Sequence, residues 1–196
     1  MGDLNWTSVL KLAATTGVFT TILTLGGGWL HDWWRDKSRN KTEAKYLALR
    51  LAVILEKFVS GCVYRVWHDN ADMKEGRELD YNLPTLESYP PDSPDWKSFH
   101  AGNQKLAGQV LSFPNEITSA ELACEFTGMR EGNQFASADE TIVAGVKAWR
   151  LAQALRKNYG LDAVTITHVD SLETEHKKLQ ERTEFNTAFA LYAEAT

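Results

Sequence analysis

Residues 43–68, EAKYLALRLAVILEKFVSGCVYRVWH, decide the fold class of this chain. Arg50, Glu56 and Lys57 lie within the segment, and charged side chains are costly inside a bilayer. Its apolar residues recur at spacings of three and four, which places them on one face of an α-helix. The segment therefore predicts a core helix of a soluble helical domain, and its buried face is Leu47, Leu51, Ile54, Phe58, Cys62 and Val66.

The composition is that of a folded protein. The 196 residues are enough for one domain with a sizeable core, and 43% of them are hydrophobic while 24% are charged. A net charge of −5 gives no general attraction to nucleic acid, so no nucleic-acid partner is predicted. Cys62 and Cys124 lie far apart in apolar contexts, which predicts two buried thiols rather than a disulfide or a zinc site.

Residues 12–30, LAATTGVFTTILTLGGGWL, contain no charged side chain. As a helix they would be about 28 Å long, close to the hydrocarbon thickness of a bilayer. Tryptophans, which favour the membrane–water interface, flank the segment on both sides: Trp6, Trp29, Trp33 and Trp34. We predict a transmembrane helix; the alternatives are a buried core helix and a secretion signal. The signal fits poorly, because Asp3 precedes the apolar run and no small-residue cleavage site follows it.

Basic residues predict the orientation of this helix. Only Lys11 lies close before the apolar run, whereas a basic row follows it: Arg35, Lys37, Arg39 and Lys41. Basic residues concentrate on the cytoplasmic side of a membrane helix, so the N-terminus is predicted outside. Residues 1–36 form the predicted anchor, in contact with the lipid bilayer of a cell inner membrane, and residues 37–196 form a cytoplasmic helical domain.

Small residues repeat along the predicted membrane helix at intervals of four: Thr16, Thr20, Thr24 and Gly28. Such rows let two membrane helices approach closely, and this predicts a homo-oligomer formed through the membrane helix. The alternative is that the threonine hydroxyls only bond back to the preceding turn of their own helix.

Residues 69–102 form a proline-rich segment in which acidic and aromatic residues alternate. It holds four of the five prolines, which disfavour helix and favour turns or extended backbone. A long structureless loop is uncommon in a compact domain, so we predict an ordered loop packed on the bundle. The alternative is an arm that binds an unknown protein partner through its aromatic residues: Tyr89, Trp96 and Phe99.

Three further stretches complete an all-α prediction. A short helix is predicted over residues 103–112, and Pro114, preset for a first helical turn, opens another. A stronger helix over residues 138–159 ends at Gly160, the residue type favoured after a helix end. The last helix, starting at Asp170 or Ser171, is polar.

The sequence predicts no catalytic residue, cofactor or metal. Glu173 and His176 have the Glu-x-x-His spacing of di-iron bundles, but such a site needs two of these pairs and two more glutamates. No phosphate-binding glycine loop, nucleophile elbow or CxxC motif is present.

Four short motifs follow the predicted membrane helix, and their order carries a resemblance. They are LPTLESYP at 83–90, DWKSF at 95–99, VLSFPNEI at 110–117 and KNYGL at 157–161. The chain resembles uncharacterised bacterial single-pass inner-membrane proteins with a cytoplasmic helical domain. The resemblance implies an all-helical domain on a membrane anchor and brings no activity. We expect a membrane-tethered interaction or scaffold protein; the alternative is an inner-leaflet enzyme that acts on a membrane-associated substrate.

Overall fold

The protein is built from α-helices. A computed structural model describes residues 18–75, 82–90, 95–131 and 136–194 of the chain. These ranges contain no strand, and their helices are α1 Val18–Glu75, α2 Asp95–Gly102, α3 Gln104–Glu131, α4 Ala136–Tyr159 and α5 Val169–Glu194. The predicted all-α class and helical bundle are confirmed.

The chain divides into two compact units, Met1–Glu43 and Ala44–Thr196. In the first unit the described residues all belong to α1. No helix in the described ranges has a stretch that is both long and apolar enough to cross a membrane. The first six residues of the predicted span, 12–17, lie outside the described part of the chain. The transmembrane helix therefore stays a prediction.

Helix α4 lies at the centre of the second unit, buried on most of its sides. Helix α3 runs antiparallel to it, because Glu116 forms an ion pair with Lys147 while Cys124, further along α3, lies near Glu140. The apolar side chains that α4 contributes to the core are Ile142, Ala144, Val146, Ala148, Trp149, Leu151, Ala152 and Leu155.

Helices α1 and α5 also run antiparallel to α4. At Gly145 of α4, a methyl group would lie 2.8 Å from Cys62 of α1 and 2.7 Å from Leu172 of α5. Towards the C-terminal end of α4, Arg156 pairs with Glu56 of α1. Towards its N-terminal end, Arg182 of α5 forms an ion pair of 2.6 Å with Asp139.

The face predicted for α1 is confirmed in its main members. Leu47, Leu51, Phe58 and Cys62 are buried, whereas Ile54 and Val66 are half-buried. The Phe58 ring meets the Phe113 ring of α3 edge-on, with 5.8 Å between centroids. The spacing of apolar residues was therefore a sound guide to the core of the second unit.

The prediction that Pro114 opens a helix is wrong, because α3 continues through it. A proline inside a helix removes one backbone hydrogen bond and costs about 3 kcal/mol. Val110, Phe113 and Ile117 carry the buried face across the proline at helical spacing. Burial of these three side chains offsets the cost, since each contributes about 1.5–3 kcal/mol.

The end of α4 at Gly160 follows the sequence prediction. Gly160 has a φ of 58°, a left-handed conformation that glycine adopts without steric cost. The Leu161 amide then donates to the Arg156 carbonyl at 2.9 Å, which is the bond of a Schellman motif. Residues 161–166 follow without regular secondary structure before α5 begins.

Gly145→Ala is expected to lower the free energy of unfolding by about 1–3 kcal/mol, the usual cost of overpacking a core. The added methyl group would lie 2.8 Å from the Cys62 Cβ, a rigid atom held on α1. One helix must therefore shift away from α4. Urea unfolding followed by circular dichroism measures the effect.

Gly108→Ala is the matched control for this substitution. Gly108 also lies inside a helix, and nothing lies within 4 Å of an added Cβ. Alanine is there expected to raise the free energy of unfolding by about 0.5–1 kcal/mol through its helix propensity. Equal effects at both glycines would contradict the close approach of α1 and α4.

Candidate functional site

A groove of about 680 Å³ opens between α1 and α5 in the second unit. This volume is in the range of ligand-binding clefts. Helix α1 supplies one wall, and the residues around the start of α5 supply the other. The lining residues are Ser60, Val63, Tyr64, Val66, Trp67, His168, Ser171, Leu172 and Glu175.

The α1 wall of the groove is aromatic. Tyr64 is 64% exposed and Trp67 is 71% exposed, which is a large apolar area for a surface helix. Tyr64 also lies beside His68, with 5.7 Å between ring centroids. Tyrosine and tryptophan offer broad, rigid contact area at low entropic cost, so this wall suits an apolar or aromatic ligand.

The other wall is formed where the chain turns into α5. His168 has a φ of 65°, and the Ser171 amide donates to its carbonyl at 3.1 Å. Ser171 and Glu175 follow one another by a helical turn, with the buried Leu172 between them. The Glu175 carboxylate accepts a hydrogen bond of 2.8 Å from Lys178. This wall contributes the Ser171 hydroxyl, the His168 imidazole and the paired Glu175 carboxylate to a groove that is otherwise mainly apolar.

The lining of the groove is mainly apolar. A pair of carboxylates that divides the roles of acid and base needs environments that separate their two acidities. The groove is lined by a single carboxylate, Glu175, which is already held in an ion pair. The apolar and aromatic lining instead favours binding, because a ligand that covers it removes apolar surface from water.

The two thiols lie in the core, as predicted. Burial raises the pKa of Cys62 far above its ordinary value. Burial, with the nearby carboxylates Glu140 and Glu121, raises the pKa of Cys124 to about 11. Both thiols are therefore protonated near neutral pH and are poor nucleophiles and metal ligands. Over the described residues, no group of three or more His, Cys, Asp or Glu side chains could hold a metal ion.

The proline-rich segment is packed on the second unit, as far as it is described. Phe99 is fully buried, and Trp96 is half-buried with its Nε1 donating to the Pro90 carbonyl at 3.0 Å. The Phe99 ring stacks on Tyr159 of α4 at 5.3 Å, and the Tyr159 hydroxyl donates to the Phe99 carbonyl at 2.9 Å. Trp96 and Phe99 belong to helix α2, however, and residues 69–75 belong to α1, so the predicted loop is helical at both of its ends.

Tyr89 completes the aromatic set that the sequence offered as a partner-binding arm. It is half-buried and packs against the core, and its hydroxyl is a buried polar atom without a hydrogen-bond partner. Burial raises the pKa of Tyr89. Since Tyr89, Trp96 and Phe99 all contact the bundle, a partner would have to bind what they leave exposed. The side chains of Asp92 and Asp95, in the same segment, lie outside the described residues.

The residues predicted to form the anchor are only partly described. Trp6 and Thr16 lie outside the described part of the chain. The basic row is exposed on α1, and Arg39 donates to Glu43 at 2.6 Å. The other residues predicted for the membrane interface and the helix-association face belong to α1, but nothing beyond their backbone is described: Trp29, Trp33, Trp34, Thr20, Thr24 and Gly28.

The sequence did not predict the buried ion pair between Glu56 and Arg156. Arg156 Nε donates to Glu56 Oε1, Nη2 donates to Oε2 at 2.8 Å, and Nη1 donates to the Asp162 carbonyl at 2.6 Å. The hydrogen bonds to Glu56 raise the pKa of Arg156 above its ordinary value. The only indication of this ion pair in the sequence is that Glu56 lies at the edge of the apolar face of α1.

Comparison with models of protein families, with curated proteins and with solved structures finds no match to this chain. Two features of the chain bear on its function: the apolar surfaces of the second unit and the charge pattern around residues 12–30.

Proposed function

We propose that this protein is a membrane-tethered interaction protein, anchored by residues 12–30 with its helical domain in the cytoplasm of a bacterial cell. The observation that carries the proposal is the charge pattern: an uncharged run flanked by tryptophans is followed by an exposed basic row. The proposed anchor self-associates through its row of small residues, Thr16, Thr20, Thr24 and Gly28.

The basic row supports contact with the lipid surface. Arg35, Lys37 and Lys41 are exposed on α1. Basic side chains close to a cytoplasmic leaflet gain about 1 kcal/mol each from anionic headgroups. They would therefore hold this part of α1 near the membrane and oppose its transfer across the bilayer.

The interaction role is supported by the surface of the second unit. The exposed rings of Tyr64 and Trp67 line a groove, and α3 exposes Leu122. Apolar surface of this kind is typical of sites where another molecule binds. A tether and a set of apolar surfaces together fit a protein that brings partners to the inner leaflet.

Ile22→Arg combined with Leu25→Arg is expected to release the full chain from membranes. Each arginine near the centre of a membrane helix costs about 2.5–3.5 kcal/mol on the translocon scale. The unaltered chain should stay in the membrane pellet after an alkaline carbonate wash, and the double variant should appear in the supernatant. Immunoblotting of both fractions measures the distribution.

Val143→Arg combined with Val164→Arg is the matched control, because both valines are exposed on the second unit. This variant should stay in the pellet. A reporter that is active only in the cytoplasm, fused after Thr196, should also be active. An unaltered chain in the soluble fraction would contradict the tether, and an inactive cytoplasmic reporter would contradict the orientation.

A further inference from the structure

Helix α1 carries an exposed apolar and basic surface, which we call the α1 patch: Tyr46, Leu49, Arg50 and Val53. The Arg50 guanidinium lies over the Tyr46 ring, 5.9 Å from its centroid, so the cation and the ring form one surface. The four residues follow one another at spacings of three, one and three, on the side of α1 away from the core.

Helix α3 carries a second exposed surface of opposite charge, the α3 patch: Glu121, Leu122, Glu125 and Phe126. Leu122 is 61% exposed, and the two glutamates flank it on the same part of the helix. Glu116, one turn earlier, is also acidic but is paired with Lys147. The α3 patch is therefore apolar with an acidic border.

The two patches lie at opposite ends of α4. Lys45, next to the α1 patch, donates to the Gly160 carbonyl at 2.9 Å, at the C-terminal end of α4. Cys124, within the α3 patch segment, lies close enough to Glu140 near the N-terminal end of α4 for that carboxylate to affect its pKa. Helix α4 is 24 residues long, which is about 36 Å. One copy of the chain therefore cannot cover its own patches with each other.

We propose that a second copy of this chain binds head to tail, with the α3 patch of one copy on the α1 patch of the next. Charge complementarity argues for this pairing. Two α1 patches face to face would oppose arginine to arginine, and two α3 patches would oppose four carboxylates. The crossed pairing joins apolar to apolar surface and guanidinium to carboxylate.

This pairing has a structural consequence. An interface between two different patches closes as an antiparallel dimer when both crossed contacts form at once, and otherwise as a ring or an open chain. The inference goes beyond the proposed function, and it concerns the second unit rather than the membrane helix.

Charge reversal on the full chain in a mild nonionic detergent tests the inference. Sedimentation velocity should show the average mass of the unaltered chain rising as protein concentration increases. Arg50→Glu should shift this association to at least about tenfold higher concentration, because an acidic α1 patch would then face the acidic α3 patch. Glu121→Lys combined with Glu125→Lys should have the same effect, because a basic α3 patch would then face the basic α1 patch.

Combining all three substitutions in one chain separates the head-to-tail interface from the alternatives. The triple variant again has patches of opposite charge, so its association should return. Arg150→Glu, the same change at an exposed position of α4, should leave association as it is. Circular dichroism should confirm that every variant is folded.

Three outcomes would overturn the inference. The unaltered chain could stay monomeric, whether or not another protein binds the patches. Association could ignore the charge reversals, which would assign it to the membrane helix and leave the proposed tether intact. Association could be lost in the single-patch variants without returning in the triple variant, which would exclude a crossed pairing.

Discussion

Replacing Phe99 with alanine is expected to lower the free energy of unfolding by about 3–5 kcal/mol, the range typical of a large buried aromatic side chain. Phe99 is 0% exposed. Its ring meets Trp96 edge-on at 5.7 Å and stacks on Tyr159 at 5.3 Å, both measured between centroids. Alanine would remove both contacts and leave a cavity between α2 and α4. Urea unfolding of the full chain, followed by circular dichroism, measures the loss.

Phe185→Ala is the matched control, because Phe185 is 70% exposed on α5. Its loss is expected to change the free energy of unfolding by no more than about 0.5 kcal/mol. If Phe99→Ala costs no more than the control, the segment that holds Phe99 does not contribute to the stability of the bundle. Its aromatic residues would then be better explained as a surface for a partner.

The packing of this segment could be predicted from composition, but its contacts could not. Large apolar residues among prolines indicated an ordered loop, since prolines lower the entropy cost of ordering a chain. The partner of Phe99 is Tyr159, 60 positions away along the chain. Pairings at such distances depend on how the helices are arranged, and periodicity within one segment carries no information on that arrangement.

The error at Pro114 has a related cause. The low helix propensity of proline is a local rule, and it predicted a break before this residue. The residues on either side, Phe113 and Ile117, are buried against the rest of the bundle. Tertiary burial therefore outweighed the local preference. The same sequence without its packing partners would be expected to separate into two helices at that point.

The groove between α1 and α5 was missed for a geometric reason. The apolar spacing of α1 marked Val66, but Tyr64 and Trp67 extend the apolar surface around the helix. Whether such residues are covered depends on where α5 docks. Leu172 of α5 is buried near Gly145 of α4, which leaves the aromatic side of α1 exposed.

Replacing Glu56 with leucine is expected to lower the free energy of unfolding by about 3–5 kcal/mol, the typical cost of leaving one buried charge without its partner. Glu56 and Arg156 are each 11% exposed at the side chain, so little solvent screens them. Leucine would remove both acceptors of a bidentate pair while the guanidinium stays charged. Urea unfolding again measures the change.

The double variant Glu56→Leu with Arg156→Met decides how much of that cost is due to the unpaired charge. Removing both ions also removes the cost of taking them out of water, so the double variant should be close to the unaltered protein in stability. A strongly favourable coupling energy in the double-mutant cycle is the expected result. Suppose instead that each single substitution costs less than about 1 kcal/mol. The pair would then behave as a solvated one, and α1 and α4 would be joined by their apolar contacts alone.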